Sequence, residues 1–369
     1  MLALHKPMEL KYFKSMSKTA IFENLSNLLS EASEIPLQPD DHYVIFSDLH
    51  MGNGSDRDDF LRNSQLFSYI LENYYLKSNF RLILNGDIEE LQKFSHKEIQ
   101  TRWENIFDLF EQYDQSNNLI KIYGNHDIEP FHETEFERKF PSLPAIKLNY
   151  DGNTIFIFHG HQASVLFEKY NNFTGFVLKN VAHPLRIKNR TTAYDSQRKY
   201  RVERKVYAFS NRNKIVSIIG HTHRPLFESL SYFDWLKFKI ENLCRSYLTA
   251  TPQGKAHIEE DIQYYKKEIQ KHAQLKRKKH ESTGLYNSSM IVPSLFNSGC
   301  VIGKRGITSI EISTNKIRLV HWFDRKKSKK FLNHHNGYKP RLLDKTDFYR
   351  KVLKEDSLDY VFTRIKLLT

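Results

Sequence analysis

Five apolar runs in this 369-residue sequence end in polar residues able to bind divalent cations: YVIFSDLH, FRLILNGD, LIKIYGNHD, TIFIFHGHQ and KIVSIIGHTH. Among those terminal residues are Asp48, His50, Asp87, Asn125, His159, His221 and His223. Two carboxylates, one neutral amide and four imidazoles make a mixed oxygen and nitrogen donor set, and a carboxylate with two oxygens can bridge a pair of ions. Two formal negative charges against the four positive charges of two cations leave capacity for an attacking hydroxide and an anionic phosphate oxygen. That arrangement suits hydrolysis, in which the cations activate water, clamp the substrate and stabilise the leaving oxygen. A lone DxH or HxH arises by chance; five such endings in order, each closing an apolar run, point to one centre.

Asp48 and His50 leave the first run two residues apart, so an extended turn can aim both side chains the same way. Gly86 and Gly124 stand directly before Asp87 and Asn125, where glycine lets the backbone approach the site closely. Each run reads as a buried strand ending in a loop. Helix-compatible stretches from Asp58 to Lys77 and from Lys97 to Gln112 alternate with the first strands, as in α/β folds. In open α/β sheets, ligands gather beyond the carboxyl ends of the strands.

Ile21, Leu25, Leu28 and Leu29 recur at helical spacing and predict an amphipathic leader helix between Lys18 and Glu34. SLFNSGCVIG, ITSIEIS and KIRLVHWF predict strands of a second sheet packed on the first. The expected organisation is a leader region over 1–40, a main domain over 41–323 with insertions at 162–213 and 226–290, and a basic tail over 324–369. The second insertion should hold a helix from Ala256 to Lys279, and the tail is expected to be helical from Asp347 to Val361.

The motifs SDLH, NGDIEE, YGNHD, FHGH and IGHTHRP resemble the calcineurin-like metallophosphoesterase superfamily over roughly Asp41 to Pro225. That resemblance implies an α/β/β/α sandwich of two mixed sheets with helical insertions. It also implies two divalent metal ions, manganese foremost, with iron, zinc, cobalt and nickel left open. One ion would take Asp48, His50, Asp87 and His223; the other would take Asp87, Asn125, His159 and His221. His126, just after the amide ligand, would be the noncoordinating acid that protonates the leaving oxygen. Asp127 is its expected carboxylate neighbour, with a turn-stabilising role as the alternative. His161 would face substrate, and Asn85, Glu89 and Glu90 would support the bridging Asp87.

GDIEEL lacks the arginine of the protein-phosphatase branch. The GHTHRP ending and the helical insertion are similar to the branch of UDP-2,3-diacylglucosamine pyrophosphohydrolases, which carries an arginine where His126 stands. The resemblance therefore implies a phosphodiesterase or pyrophosphohydrolase acting on a small molecule or nucleotide. A nuclease acting on DNA or RNA, and a non-catalytic metal-binding scaffold, stay open.

Residues 162–213 hold eleven Lys or Arg against three acids, with eight Phe or Tyr, and are expected to form a lid. If Ser196 to Phe209 is helical, Arg198, Arg201 and Lys205 share a face that could meet substrate phosphates, nucleic acid or only solvent. Phe167, Tyr170, Phe173 and Val177 could receive an acyl chain or nucleobase, or simply pack the lid. The chain's net charge of +13 would attract polyanions or an anionic membrane surface. Two cysteines exclude a disulfide framework. No apolar run reaches the length that spans a bilayer, and the opening residues hold no continuous signal-type core, so the expected location is cytoplasmic. Neither peripheral membrane contact nor the oligomeric state is fixed by these patterns.

Overall fold

The computed structural model describes residues 6–128, 140–164, 196–227, 250–278, 292–332 and 338–369, with isolated positions between 236 and 248. The expectations for Phe167, Tyr170, Phe173 and Val177, and for the side chain of Arg198, fall outside the described residues.

Fourteen strands are described: β1 (Ser33–Pro36), β2 (His42–Phe46), β3 (Arg81–Asn85), β4 (Leu119–Ile122), β5 (Ser142–Leu143), β6 (Ala145–Tyr150), β7 (Asn153–Phe158), β8 (Val216–Ile219), β9 (Leu226–Phe227), β10 (Leu295–Asn297), β11 (Ile307–Ser313), β12 (Lys316–Asp324), β13 (Arg341–Leu342) and β14 (Phe348–Ser357). They form two mixed sheets, a six-stranded one ordered β1-β6-β7-β8-β10-β9 and an eight-stranded one ordered β13-β14-β12-β11-β2-β3-β4-β5. Strands β2, β3 and β4 run parallel in the larger sheet, as do β7, β8 and β10 in the smaller. Period-two alternation assigns the faces. Tyr43, Ile45 and Ile83 join the core shared with the six-stranded sheet, while Val44, Phe46, Leu82 and Leu84 face a second core under helices.

That second core lies beneath α2 (Ser64–Ile70), α3 (His96–Arg102) and α4 (Glu104–Gln115). In α4 the buried Ile106, Phe107, Phe110 and Tyr113 recur at helical spacing, each contributing on the order of 2 kcal/mol through apolar burial. Ser95 opens α3 with a capping box: its hydroxyl accepts from Glu98 N while the Glu98 carboxylate accepts from Ser95 N. Helix α1 (Lys6–Glu31) and helix α5 (Ser196–Asn213) pack on the six-stranded sheet, with Phe209 of α5 against Phe156 of β7 and Phe22 of α1. Helix α6 (Pro252–Lys278) lies in the second insertion, and α7 (Leu358–Leu368) closes the described chain. The architecture is the expected α/β arrangement of two mixed sheets with helices.

Three local expectations differ from the structure. The leader helix expected from Lys18 to Glu34 ends at Glu31, and Ser33 and Glu34 open β1 beside β6. Of the three late strands, only β10 belongs to the six-stranded sheet; β11 joins the first sheet antiparallel to β2, and β12 follows it antiparallel to β11. The expected helix from Asp347 to Val361 is instead strand β14 followed by α7. Its charge-rich sequence is held extended by cross-strand pairs: Glu355 takes Lys316 and Arg318, and Glu311 takes Arg350.

Candidate metal centre

The carboxyl ends of β2, β3 and β4 meet those of β7 and β8 where the two sheets abut. The loops beyond them remain zipped by main-chain bonds. Asp48 N donates to Gly86 O at 2.9 Å, His50 N to Asp87 O at 3.0 Å, and Gly220 N to His159 O at 2.9 Å. Asp48, His50, Asp87, His221 and His223 all adopt left-handed φ values, between 47° and 62°. Non-glycine residues rarely do so, at roughly 1–3 kcal/mol each. Five of the seven proposed ligands therefore sit on strained backbone.

Two glycines make the approach close enough. A Cβ on Gly86 would lie 2.4 Å from His159 Nδ1, and one on Gly124 would lie 2.2 Å from Asp87 Oδ1. Neither position has room for a methyl group.

The side chains gather into two groups, Asp48 and His50 with the half-buried His223, and the buried Asp87, His159 and His221. Asp87 Oδ2 is 3.1 Å from His159 Nε2 and 3.8 Å from His50 Nε2, so one oxygen reaches both groups. His223 Nε2 lies 3.0 Å from Asp48 Oδ1 and 3.1 Å from His50 Nε2. Asn125 follows β4 with Oδ1 turned inward and without a hydrogen bond.

Whether the donor set fits a cation depends on which atoms carry lone pairs. His159 Nδ1 is 2.8 Å from the carbonyl of Asn85, which only accepts, so Nδ1 carries the hydrogen. In the neutral ring, Nε2 then presents its lone pair to the Asp87 carboxylate. His50 repeats the pattern: Nδ1 donates to Glu90 at 2.9 Å and Nε2 faces His223 Nε2. Asp48 Oδ1, Asn125 Oδ1, His159 Nε2 and His221 Nε2 are all buried without a hydrogen bond. Electron-rich atoms facing one another in a buried space fit divalent cations between them.

The electrostatics agree. Burial alone would lower the His159 imidazole, but Asp87 beside it lifts it to about 9. A proton there occupies the place a cation would take. His221 is pushed down to about 3 by burial and by its neighbour His159. Burial would raise Asp87, yet the imidazoles of His159 and His126 hold it well below the usual carboxylate range.

The carboxylate on His126 is Glu90, not the expected Asp127. His126 Nδ1 lies 2.7 Å from Glu90 Oε1, while Glu90 Oε2 takes His50. Burial would raise the Glu90 carboxyl, but the hydrogen bonds from His126 and His50 hold it well below the usual carboxylate range. Asp127 turns away and accepts four main-chain N–H groups, from Asp87, Ile88, Glu89 and Gly124, at 2.7–2.9 Å. It clamps the β3 loop to the β4 loop, the turn-stabilising alternative.

His161 is buried, its ring centroid 5.4 Å from His159 and 6.0 Å from Tyr123. Lys205 donates to Ala163 O at 3.3 Å, and Arg201 is exposed on α5. Neither is placed on the centre by a described contact.

Two supports went unnamed in the sequence. Asn297, closing β10, donates to Gly220 O and Thr222 Oγ1, so it frames the His221–His223 turn. Its signal was the one used for the ligands, a polar residue ending an apolar run. Glu203 of α5, fully buried, accepts from Thr222 Oγ1 at 2.8 Å and from Arg224. It ties the helix of the first insertion to that same turn.

No protein-family model matches the chain, and no curated protein matches it at a significant level. Among solved structures, a conserved uncharacterised protein of Streptococcus pneumoniae TIGR4, described as a predicted phosphoesterase, matches with 12% identity, 77% of this chain and 91% of that chain covered, and a TM-score of 0.29. A likeness that slight carries no functional argument.

Proposed function

We propose that the chain is a divalent-metal-dependent phosphoester hydrolase, a phosphodiesterase or pyrophosphohydrolase acting on a small-molecule or nucleotide-type substrate. The observation that carries this reading is the convergence of Asp48 Oδ1, Asn125 Oδ1, His159 Nε2 and His221 Nε2, all buried and without hydrogen bonds, at the junction of the two sheets. Asp48, His50, Asp87 and His223 would hold one ion, and Asp87, Asn125, His159 and His221 the other. Bound there, two divalent ions supply Lewis acidity toward phosphate oxygens and an activated water.

The chain's own residues do the rest. With Nδ1 fixed on Glu90, His126 keeps Nε2 for the leaving oxygen and gives it a proton. Because Glu90 also holds His50, ligand and acid keep one relative orientation. Asp127 fixes the β3 and β4 loops through the main chain, and His161 walls the site beside His159. Purified protein is expected to bind close to two Mn²⁺ per chain and to hydrolyse bis(4-nitrophenyl) phosphate only with metal present. Undiminished turnover in excess chelator would overturn the reading.

A further inference from the structure

The topology of the eight-stranded sheet puts a second feature on the same edge as the metal centre. Strand β2 ends there at Phe46, two residues before Asp48. Strand β11 runs antiparallel to it and so begins there, and β12, paired Ile307 to Trp322, ends there at Asp324. Strand β14 starts opposite, with Phe348 beside Asp324. The turn ahead of β11 and the described parts of the excursion after β12, residues 325–332 and 338–347, therefore both belong to the catalytic edge. Val301 N in that turn donates to Asp48 O at 3.3 Å. Lys327 of the excursion reaches back to Arg62 O at 2.5 Å.

These two segments are strongly basic. The excursion opens with RKKSKK at 325–330 and continues with Lys339, Arg341 and Lys345; the turn adds Lys304 and Arg305. All ten of these cations are exposed, against three acids, Asp324, Asp344 and Asp347. Asp347 pairs with Arg325 and Lys326, and Tyr69 donates to Asp344. No acid contacts Lys304, Arg305, Lys329, Lys330 or Arg341 among the described residues. Rings interleave with the charges: Phe331, Tyr338 and Tyr349 are half-buried, and the Lys330 ammonium lies 5.8 Å from the Phe331 centroid.

We propose that this edge is a binding track for single-stranded nucleic acid. A row of cations follows a phosphate backbone, and interleaved aromatic faces accept bases without regard to sequence. An anionic membrane would meet the same charge, but Leu342 is the one exposed large apolar side chain among the described residues of the track, so little is available to insert. Delivery of a phosphodiester from the track to the centre rests on the hydrolytic reading above; binding does not.

Fluorescence anisotropy with a labelled single strand of about 20 nucleotides, in chelator, tests the binding alone. With about four phosphate contacts, affinity should fall roughly 50-fold between 50 and 200 mM salt. The combined variant Lys304→Glu, Lys329→Glu, Lys330→Glu should weaken binding at least about tenfold while Mn²⁺-dependent turnover of bis(4-nitrophenyl) phosphate is unchanged. Should that variant fold poorly, photocrosslinking of the oligonucleotide to the native chain must map to 304–305 or 325–345. Absent or salt-insensitive oligonucleotide binding, crosslinks elsewhere, or binding only to phosphatidylserine vesicles would each overturn the track. Oligonucleotide binding without any diester turnover would leave the track standing and remove the hydrolytic reading.

Discussion

The two sheets contribute unlike chemistry to the centre. The eight-stranded sheet brings the carboxylates Asp48, Asp87 and Glu90 together with His50, Asn125 and His126; the six-stranded sheet brings the imidazoles of His159, His221 and His223. They are also held differently. The anionic half is fixed largely by main chain, through the zipped β2 and β3 loops and the four amides on Asp127. In the imidazole half, the His221–His223 turn leans on side chains reaching in from elsewhere, Asn297 of β10 and Glu203 of α5. The carboxylates are thus placed largely by main-chain bonds, and the His221–His223 turn by contacts that can be tuned singly.

The largest expected effect tests whether Asp87 spans both groups. Asp87→Asn should lower Mn²⁺-dependent diester turnover on the order of 10³-fold or more and reduce bound metal by mass spectrometry. Loss of a single ion with high residual turnover would break the shared-oxygen picture.

Next in size is His126→Ala, expected to slow turnover about 10²-fold or more with metal content nearly unchanged. Metal loss would move His126 into the ligand set. On the imidazole half, Asn297→Ala and Glu203→Ala should each weaken Mn²⁺ binding about 10- to 100-fold by calorimetry, with Glu203→Gln recovering part of it. If both variants bind metal like the parent chain, the contrast between the halves fails.

The smallest effect at neutral pH concerns the eight-stranded sheet away from the centre. Burial pushes His321 of β12 down to about 4. The unfolded chain takes up that proton near the ordinary value of 6.5 while the folded chain does not, so stability falls as pH drops from 6.5 to 4, by roughly 3 kcal/mol. His321→Phe should flatten the decline of Tm across that window. An unchanged slope would assign the acid sensitivity to other groups.

Much of this was legible in local sequence because strand ends carry their own signals. An apolar run closed by Asp, Asn or His announces both a buried strand and a candidate donor, and the five motifs needed no knowledge of distant partners. What was not legible depended on partners. Nothing local in ITSIEIS or KIRLVHWF says which sheet will accept it. The charges of Phe348–Ser357 read as part of a helix until Lys316, Arg318 and Glu311 are known to pair with them. Glu90 could be placed near Asp87, but its grip on two histidines requires the loops after β2 and β4 to converge on it. Glu203 is one of three acids in a basic insertion, and its partner Arg224 stands twenty-one residues away in sequence.

Gly124 offers no atom to any ion, yet its missing methyl is the space in which Asp87 sits. Random mutagenesis scored for loss of function should therefore recover Gly124→Ala among its most damaging hits, beside the acids and imidazoles. A catalogue of indispensable positions built only from chemically reactive side chains would overlook it.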